Sequence, residues 1–247
     1  MSKNKKIIIA NWKMNLDLKS ALALSRSLSR SLVKIKTQHQ VVVLPDFLAL
    51  PEVIKNLDSR IYYGAQDVAP FPLGAYTGEV PLESLKQVKA QFVLIGHSER
   101  RQYFSDDSLV ADKLKNVLEN SNIVPILAIG ETWEQRKKGE TIKIIKQQLQ
   151  TAFSKLDKID SARIIIAYEP VWAIGSGLTV KPLEAVEAFQ AIKKVLQAKS
   201  WRFKIVYGGS VNLNNYLDFK NLTDLDGFLI GGASLKPLDF VNIIKNF

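Results

Sequence analysis

The sequence predicts an α/β protein, a single closed (β/α)8 barrel of eight parallel strands that alternate with helices. Short apolar runs alternate with longer amphipathic segments along all 247 residues, giving eight units of about 31 residues, the size range of one strand–helix–strand repeat. The strand runs are continuously apolar, as in parallel sheets buried on both faces. No change in composition marks a second domain, so a single barrel over residues 1–247 is favoured over an open doubly wound sheet.

The apolar runs and the helical spacing of leucines predict the elements in order. The predicted strands are Ile7–Ala10, Val41–Leu44, Ile61–Gly64, Phe92–Ile95, Ile123–Ile129, Ile164–Ile166, Lys204–Tyr207 and Gly227–Ile230. The predicted helices are one from about Asp17, a short one ending near Leu57, and Leu109–Leu118, Glu134–Leu156 and Leu183–Leu196. Shorter helical segments are expected after the last two strands.

Composition excludes several kinds of site. The chain has no cysteine, and His39 and His97 are its two histidines. Disulfides, thiolate nucleophiles and cysteine- or histidine-rich metal sites are therefore excluded, and no metal is expected. The formal charge of +10 suits an anionic partner, but nucleic-acid-binding motifs and long basic blocks are missing, so no nucleic acid is expected as a partner. No apolar run is long enough for a membrane span or a signal sequence, so we expect a cytoplasmic protein.

Polar residues and glycines follow several predicted strands at their carboxyl ends, where barrels of this class carry their active sites. Taken singly, each could be structural: a solvated lysine, a core histidine or a turn glycine. Together, at five strand ends, they predict an active site. The segments are Asn11-Trp12-Lys13, Gly96-His97-Ser98-Glu99-Arg100, Glu169, Gly208-Gly209-Ser210 and Gly231-Gly232.

Glu169 begins the most informative of these segments. Pro170 holds Glu169 in extended geometry, because the proline ring disfavours the α region for the residue before it. The apolar residues that follow, between a proline and two glycines, are typical of a lid that excludes water from a reactive intermediate. The alternative is a surface carboxylate in an ordinary loop. The predicted lid comprises Pro170, Val171, Trp172, Ala173, Ile174, Gly175, Ser176 and Gly177.

The glycine pairs after the last two strands predict a phosphate site. Without a Cβ atom the backbone can approach a phosphate closely and present its N–H groups, and these two loops are where such barrels most often bind phosphate. Lys13 supplies a positive charge for an anionic ligand. We therefore expect a small phosphate ester as the ligand, held by Gly175, Ser210, Gly231 and Gly232.

Five motifs, in the same order along the chain, resemble those of the triosephosphate isomerase family. They are Asn11–Asn15, Gly96–Arg101, Tyr168–Gly175, Tyr207–Val211 and Gly231–Leu235. The resemblance covers essentially the whole chain. It implies a TIM barrel and an intramolecular oxidoreductase, an aldose–ketose isomerase of glycolysis and gluconeogenesis. Such an enzyme interconverts dihydroxyacetone phosphate and D-glyceraldehyde 3-phosphate through an enediol(ate), without a cofactor.

The resemblance also implies roles for the residues at the strand ends. Glu169 is expected to be the general base that moves a proton between C1 and C2 of the substrate. His97 is expected to polarise the carbonyl as a neutral imidazole. Lys13 is expected to stabilise negative charge, with Asn11 positioning the same oxygen. Glu99 either orients Lys13 or joins the proton network.

A loop at 66–81 is long for a compact domain, and loops of this length are usually functional. Its apolar residues Phe71, Leu73 and Tyr76 are expected to be exposed, which a monomer would not leave uncovered without reason. The alternative is a mobile surface loop. In the family this loop inserts into a partner subunit, and Thr77 matches the residue at its tip that braces the neighbouring site. The resemblance therefore implies a homodimer.

Some positions depart from the family's usual pattern. The second lid hinge reads Leu178-Thr179-Val180, and Ala128 stands where a cysteine is usual; the first difference bears on the rate of lid opening. Two other functions stay open. One is another sugar-phosphate isomerase on the same fold, since one fold hosts many chemistries. The other is a catalytically silent barrel used as a binding module. Loss of the base or the electrophile would have indicated such a module, and neither residue is missing.

Overall fold

The computed structural model describes residues 5–156, 161–174, 180–197, 201 and 203–247. Eight parallel strands close into one barrel in sequence order, with β8 paired to β1. The predicted (β/α)8 barrel is therefore confirmed, and the open doubly wound sheet is wrong. The strands are β1 (Ile7–Asn11), β2 (Gln40–Leu44), β3 (Ile61–Ala65), β4 (Phe92–Ile95), β5 (Val124–Ile129), β6 (Ile165–Tyr168), β7 (Lys204–Tyr207) and β8 (Gly227–Ile230).

Helices surround the barrel in the described ranges. The α-helices are α1 (Leu18–Val33), α2 (Leu50–Ile54), α3 (Leu82–Gln87), α4 (Ser98–Phe104), α5 (Val110–Asn120), α6 (Trp133–Lys137), α7 (Thr141–Ala152), α8 (Pro182–Gln197) and α9 (Pro237–Asn246). Short 3₁₀ segments lie at Asp106–Leu109, Ser161–Arg163, Val171–Ala173, Tyr216–Phe219 and Gly232–Leu235. None of these described helices is long and apolar enough to cross a membrane.

Helix α1 shows how the sequence sets one of these elements. Asp17 caps its first turn, because the aspartate Oδ1 accepts the backbone N–H of Ser20 at 2.7 Å. Leu24, Leu28 and Leu32 recur at helical spacing and are buried against the barrel. Burial of each such leucine contributes about 1.5–3 kcal/mol. The apolar stripe therefore fixes which face of the helix packs on the sheet.

The strands divide their apolar residues between the barrel interior and the layer under the helices, as alternation along a strand requires. In β1, Ile8 and Ala10 pack in the helix layer. The interior cluster consists of Ile7, Ile9, Val42, Leu44, Phe92, Leu94, Ile126, Ala128, Ile165, Ala167, Val206 and Leu229. A filled interior makes the barrel a solid support, so the loops at its carboxyl end are held at fixed positions.

Two helix predictions need correction. The single helix predicted over Glu134–Leu156 is two helices, α6 and α7, because Gly139 between them has φ +70°, a left-handed conformation that ends a helix. Helix α3 was not predicted; its six residues are too few to show a helical period. Both differences lie on the outside of the barrel and leave the strand ends unchanged.

Candidate active site

The loops at the carboxyl end of the barrel enclose a cavity of about 390 Å³. Every residue predicted to be catalytic lines it, together with the predicted phosphate-binding residues that the structure describes. These are Asn11, Lys13, His97, Glu99, Glu169, Ser210, Gly231 and Gly232. Gly175 of the phosphate site, Ser176 and Gly177 of the lid, and Leu178 and Thr179 of its hinge lie outside the described residues. The cavity is also lined by residues not predicted from the sequence, including Asn15, Asn212, Leu229 and Ala233.

Glu169 follows β6 directly and is 2 % exposed. Its backbone N–H donates to the Ile129 carbonyl oxygen at 2.7 Å, which continues the sheet pairing of β6 with β5. The carboxylate has two neighbours at the end of β4. Oε2 accepts the backbone N–H of Ser98 at 3.1 Å, and Oε1 lies 3.2 Å from Nε2 of His97. A buried carboxylate held by these two donors is well placed to act as a base in a water-poor cavity.

The position of His97 decides which of its nitrogens carries the proton. His97 is the N-cap of α4, and its Nδ1 accepts the backbone N–H of Glu99 at 3.2 Å. An acceptor nitrogen carries no hydrogen, so the neutral ring has its proton on Nε2. That N–H faces Oε1 of Glu169.

Lys13 is held in an unusual backbone conformation, with φ +52°. Such a conformation costs a non-glycine residue about 1–3 kcal/mol and persists only when its neighbours enforce it. The Lys13 backbone N–H donates to Oδ1 of Asn11 at 3.0 Å, and its carbonyl oxygen accepts Nε2 of Gln66 at 2.9 Å. Nζ of Lys13 contacts Oε1 of Glu99 at 2.5 Å. Lys13 lines the same cavity as Glu169, with its ammonium group against Glu99.

The geometry distinguishes the two roles considered for Glu99. Its Oε1 pairs with Nζ of Lys13 at 2.5 Å, whereas its Oε2 lies 3.6 Å from Nδ1 of His97. Because that Nδ1 is an acceptor, it has no proton to exchange with a carboxylate. The contact with Lys13 favours the first role, in which Glu99 orients the lysine.

The predicted phosphate side of the cavity is supported from behind by two polar side chains. Nδ2 of Asn215 donates to the carbonyl oxygen of Ser210 at 2.8 Å, and Oγ of Ser234 donates to the carbonyl oxygen of Gly231 at 2.6 Å. Apart from its two chain neighbours, no atom of the described residues lies within 4 Å of where a Cβ atom at Gly232 would be. The space beside Gly232 is therefore open to a ligand.

Glu131 is a buried residue that the sequence did not single out. It follows β5 and is 0 % exposed. Its carboxylate accepts the Tyr168 hydroxyl at 3.1 and 3.2 Å and the indole Nε1–H of Trp172 at 3.1 Å. The signal was the same as for Glu169, a carboxylate just after a buried strand. Gln66 was missed for a similar reason, since it directly follows β3 and appears from the sequence only as the start of a loop.

The described part of the predicted lid begins as a 3₁₀ turn, Val171–Ala173, and Ile174 lines the cavity. Ala173 is buried and Trp172 is half-buried. These residues are therefore packed at the edge of the cavity rather than solvated, unlike an ordinary surface loop.

The loop at 66–81 presents Leu73, Tyr76 and Thr77 to solvent, with Leu73 69 % exposed. Phe71 was predicted to be exposed, but it is half-buried. Its ring stacks on Tyr76 with the centroids 4.3 Å apart, which covers one face of Phe71. Among the described residues no group of three or more histidine and carboxylate side chains is arranged to hold a metal ion.

Comparison with known proteins agrees with this arrangement. The sequence matches the family model described as "Triosephosphate isomerase" over residues 6–247. It is 38% identical to a triosephosphate isomerase of Dictyoglomus thermophilum, with 98% of this chain and 99% of the relative aligned. It is 39% identical to one of Thermus thermophilus, over 97% of both chains, and 40% identical to one of Alkaliphilus oremlandii, over 98% of this chain and 99% of the relative. The chain therefore belongs to the triosephosphate isomerase family.

Proposed function

We propose that the chain interconverts dihydroxyacetone phosphate and D-glyceraldehyde 3-phosphate through an enediol(ate), without a cofactor. Membership of an isomerase family supports this function. The observation that carries it is the meeting of Glu169 and His97 at 3.2 Å in a cavity that Lys13 also lines. A base, a neutral proton donor and a cation are the groups that proton abstraction beside a carbonyl requires.

The proton steps follow from the contacts of these residues. Glu169 takes a proton from C1 of dihydroxyacetone phosphate, and the C–H electron pair becomes the C1–C2 double bond. The carbonyl electron pair moves onto the C2 oxygen, which accepts the Nε2–H of His97. The substrate oxygen thus replaces Oε1 of Glu169 as the acceptor of this N–H, and the carboxylate is released to act on carbon. His97 then gives its Nε2 proton to the C2 oxygen and takes the proton of the C1 hydroxyl. The O–H electron pair becomes the C1 carbonyl, the C1–C2 double-bond pair takes the proton back from Glu169 at C2, and the aldehyde results.

Lys13 stabilises the charge that develops during these steps, since an ammonium group near an enediolate oxygen lowers the energy of the transition state. Asn11, which fixes the Lys13 backbone, positions the same oxygen. The phosphate lies beside Ser210, Gly231 and Gly232, with Gly175 contributing an amide. Residues 170–177 form the lid, which excludes water and protects the enediolate from loss of its phosphate.

The two alternative functions have no observation in their favour. A catalytically silent binding module does not require a buried carboxylate in the same cavity as an imidazole and a lysine. A cavity of about 390 Å³ admits a three-carbon phosphate, and family membership favours this substrate over a different sugar phosphate.

The experiment is an assay of the purified protein with D-glyceraldehyde 3-phosphate, in which the dihydroxyacetone phosphate formed is reduced by a coupling enzyme. Glu169→Asp and His97→Gln should each lower kcat by about 10²–10⁴-fold, the usual contribution of a positioned acid or base. The matched control is His39→Gln, which should keep the parent activity because His39 directly precedes β2, at the end of the barrel away from the cavity, and does not line it. A folded parent without turnover would falsify the assignment.

A cytoplasmic homodimer is part of the same proposal, and exposed apolar residues support the homodimer. Met14, which directly follows Lys13, is 94 % exposed, and Leu73 and Tyr76 project from the loop at 66–81. Burial of these side chains against a second copy removes apolar surface from water, and Thr77 then approaches the neighbouring site. The whole of residues 1–247 acts as one domain in each subunit. Light scattering of the parent and of Tyr76→Glu tests this: the variant should run as a monomer, and a monomeric parent contradicts it.

A further inference from the structure

Arg136 lies between two carboxylates beside the segment that carries Glu169. Its Nη1 is 3.3 Å from Oε1 of Glu131, and its Nη2 is 3.1 Å from Oε1 of Glu184. The guanidinium carbon lies 4.9 Å from the centre of the Trp172 ring, within the range of a cation–π contact. One half-buried side chain thus joins the loop after β5, the first turn of α8 and the residues that follow Glu169.

Glu131 connects this contact to residues on both sides of Glu169. Tyr168 precedes Glu169 and donates its hydroxyl to the Glu131 carboxylate. Trp172 follows three residues later and donates its indole N–H to the same carboxylate. In addition, the carbonyl oxygen of Glu131 accepts the backbone N–H of Val171 at 3.1 Å. The position of Glu131 therefore determines the position of the chain on both sides of Glu169.

Backbone packing allows little adjustment between the two segments. A Cβ atom at Gly130 would lie 1.7 Å from the carbonyl oxygen of Glu169, so the loop after β5 touches the backbone of Glu169 itself. The Glu169 N–H is also bonded to the end of β5. We therefore expect a displacement of Gly130 and Glu131 to displace Glu169.

Arg136 supplies the positive charge that a fully buried Glu131 needs. Tyr168 and Trp172 are neutral donors, and a buried carboxylate that loses its cationic partner is strongly destabilised. Glu184 in turn orients Arg136, because its other oxygen, Oε2, accepts the backbone N–H of Lys181 at 2.9 Å and is fixed at the start of α8. The order of dependence is Glu184 to Arg136 to Glu131.

We propose that Arg136, oriented by Glu184, is a positioning residue that holds the Glu131 carboxylate and thereby the Tyr168–Trp172 segment on which Glu169 is carried. This inference rests on the proposed function for the role of Glu169 as the base. Neither residue lines the cavity, so both act through the segment rather than on the substrate. Displacement of a reacting group by about 1 Å can cost 10²-fold in rate, which makes the effect measurable.

The kinetic test uses Arg136→Gln, Arg136→Lys and Glu184→Gln, with Arg163→Gln as the matched control. Arg163 is also half-buried, but it binds the carbonyl oxygens of Leu118 and Ser121 at the other end of the barrel. Arg136→Gln should lower kcat by roughly 10–100-fold with little change in KM, because the phosphate contacts are untouched. Arg136→Lys should recover part of this loss.

The double variant tests whether the two residues act in series. Glu184→Gln keeps an oxygen for the Lys181 N–H but removes the charge that orients Arg136, so kcat should fall less than in Arg136→Gln. Combined with Arg136→Gln, it should add no further loss. An Arg136→Gln protein that loses thermal stability as Arg163→Gln does, but keeps its kcat, overturns the proposal.

A second measurement does not depend on activity. The indole N–H signal of Trp172, assigned by its absence in Trp172→Phe, should shift in the NMR spectra of Arg136→Gln and Glu184→Gln but not of Arg163→Gln. If the parent shows no isomerase activity and these shifts occur, the proposed function fails and the positioning contact stands. Unchanged indole signals in both variants overturn the positioning role, whatever the activity.

Discussion

Nε2 of His97 lies 3.2 Å from Oε1 of Glu169, while Nδ1 of the same ring accepts the backbone N–H of Glu99. Each nitrogen of the imidazole ring therefore has a polar contact. Its acceptor nitrogen is occupied by the start of α4, and its remaining N–H faces the carboxylate. The backbone N–H of Ser98 donates to the other oxygen of Glu169 at 3.1 Å. The proton donor His97 and the base Glu169 are therefore already oriented toward each other before a substrate binds.

This contact predicts the tautomer of His97. At pH 8, where histidine is ordinarily neutral, nitrogen NMR should show the hydrogen of His97 on Nε2. The physical reason is that a protonated Nδ1 would leave the Glu99 N–H without its acceptor and place two hydrogens against each other. A His97→Gln sample assigns the signal. Detection of the Nδ1–H tautomer in the free protein contradicts this description of the site.

Gln66 should matter for both stability and activity. Its amide donates to the carbonyl oxygens of Lys13 and Leu44, each at 2.9 Å. Gln66→Met removes both bonds, which should lower the free energy of unfolding by about 1–3 kcal/mol. It should also let Lys13 leave its strained backbone conformation, so that kcat/KM falls by about tenfold, the effect of some 1.4 kcal/mol in the transition state.

The control for Gln66→Met is Gln87→Met, on the exposed surface of α3. It should change neither the urea midpoint nor kcat/KM. If Gln66→Met behaves like this control, the side chain of Gln66 has no part in holding Lys13.

Gly232→Ala separates ligand binding from folding. Within the part of the chain that the structure describes, a methyl group there meets no atom within 4 Å beyond its chain neighbours, so the melting temperature should remain within a degree or two of the parent. In the proposed function the same space receives the phosphate, and KM for D-glyceraldehyde 3-phosphate should rise by about tenfold or more, equivalent to at least 1.4 kcal/mol. An unchanged KM would place the phosphate elsewhere in the cavity.

Two buried tyrosines should respond differently to loss of the hydroxyl group. Tyr168 donates to Glu131, so Tyr168→Phe should lower the free energy of unfolding by about 1.5–3 kcal/mol. Within the described ranges the Tyr207 hydroxyl is buried without a hydrogen-bond partner. Tyr207→Phe should therefore leave stability unchanged or raise it, because an unpaired buried hydroxyl is unfavourable. Urea unfolding of the two variants at pH 7 compares them directly, and equal losses would contradict the assignment of partners.

A buried ionic cluster gives the free energy of unfolding two pH dependences of opposite sign. Nζ of Lys113 contacts Asp67 at 2.8 Å and Asp106 at 2.7 Å, and Nε of Arg100 lies 2.6 Å from Asp67 and 3.0 Å from Asp106. Burial raises the pKa of Asp67 in spite of these cations. For Asp106 burial acts in the same direction, but the hydrogen bonds from Lys113 and Arg100 outweigh it and the pKa is lowered.

The signs follow from the number of protons bound in the folded and unfolded states. Asp67 binds its proton more tightly in the folded state. Its contribution to the free energy of unfolding therefore decreases as the pH rises from the pKa of the unfolded chain, about 3.9, through the raised pKa of the folded state. Asp106 contributes stability above about 3.9, and this is lost as the pH falls through its lowered pKa. Urea unfolding between pH 3 and 7 should show the first dependence disappear in Asp67→Asn and the second in Asp106→Asn. An Asp67→Asn protein with the parent's pH profile would contradict this.

The sequence predicted the architecture because its strands are unusually easy to recognise. Ile7–Ala10, Val41–Leu44 and Phe92–Ile95 are continuous apolar runs, and the structure places β-strands there. The outer helices were harder to predict from the sequence. The break between α6 and α7 depends on the φ angle of Gly139 alone, which the hydrophobic period does not reveal. Motifs at the strand ends predicted which residues line the cavity, because parallel strands bring their carboxyl ends together.

The amino-acid sequence alone therefore determined the barrel, the family resemblance and the residues that meet at the carboxyl end of the barrel. These depend on hydrophobic period and on motifs. Tertiary structure decided how those residues are held. The tautomer of His97, the strain at Lys13, and the contacts of Gln66, Glu131 and Arg136 all depend on side chains from segments distant in the chain. Such contacts have no sequence period, because they are set by distances of about 3 Å between atoms that only the folded barrel brings together.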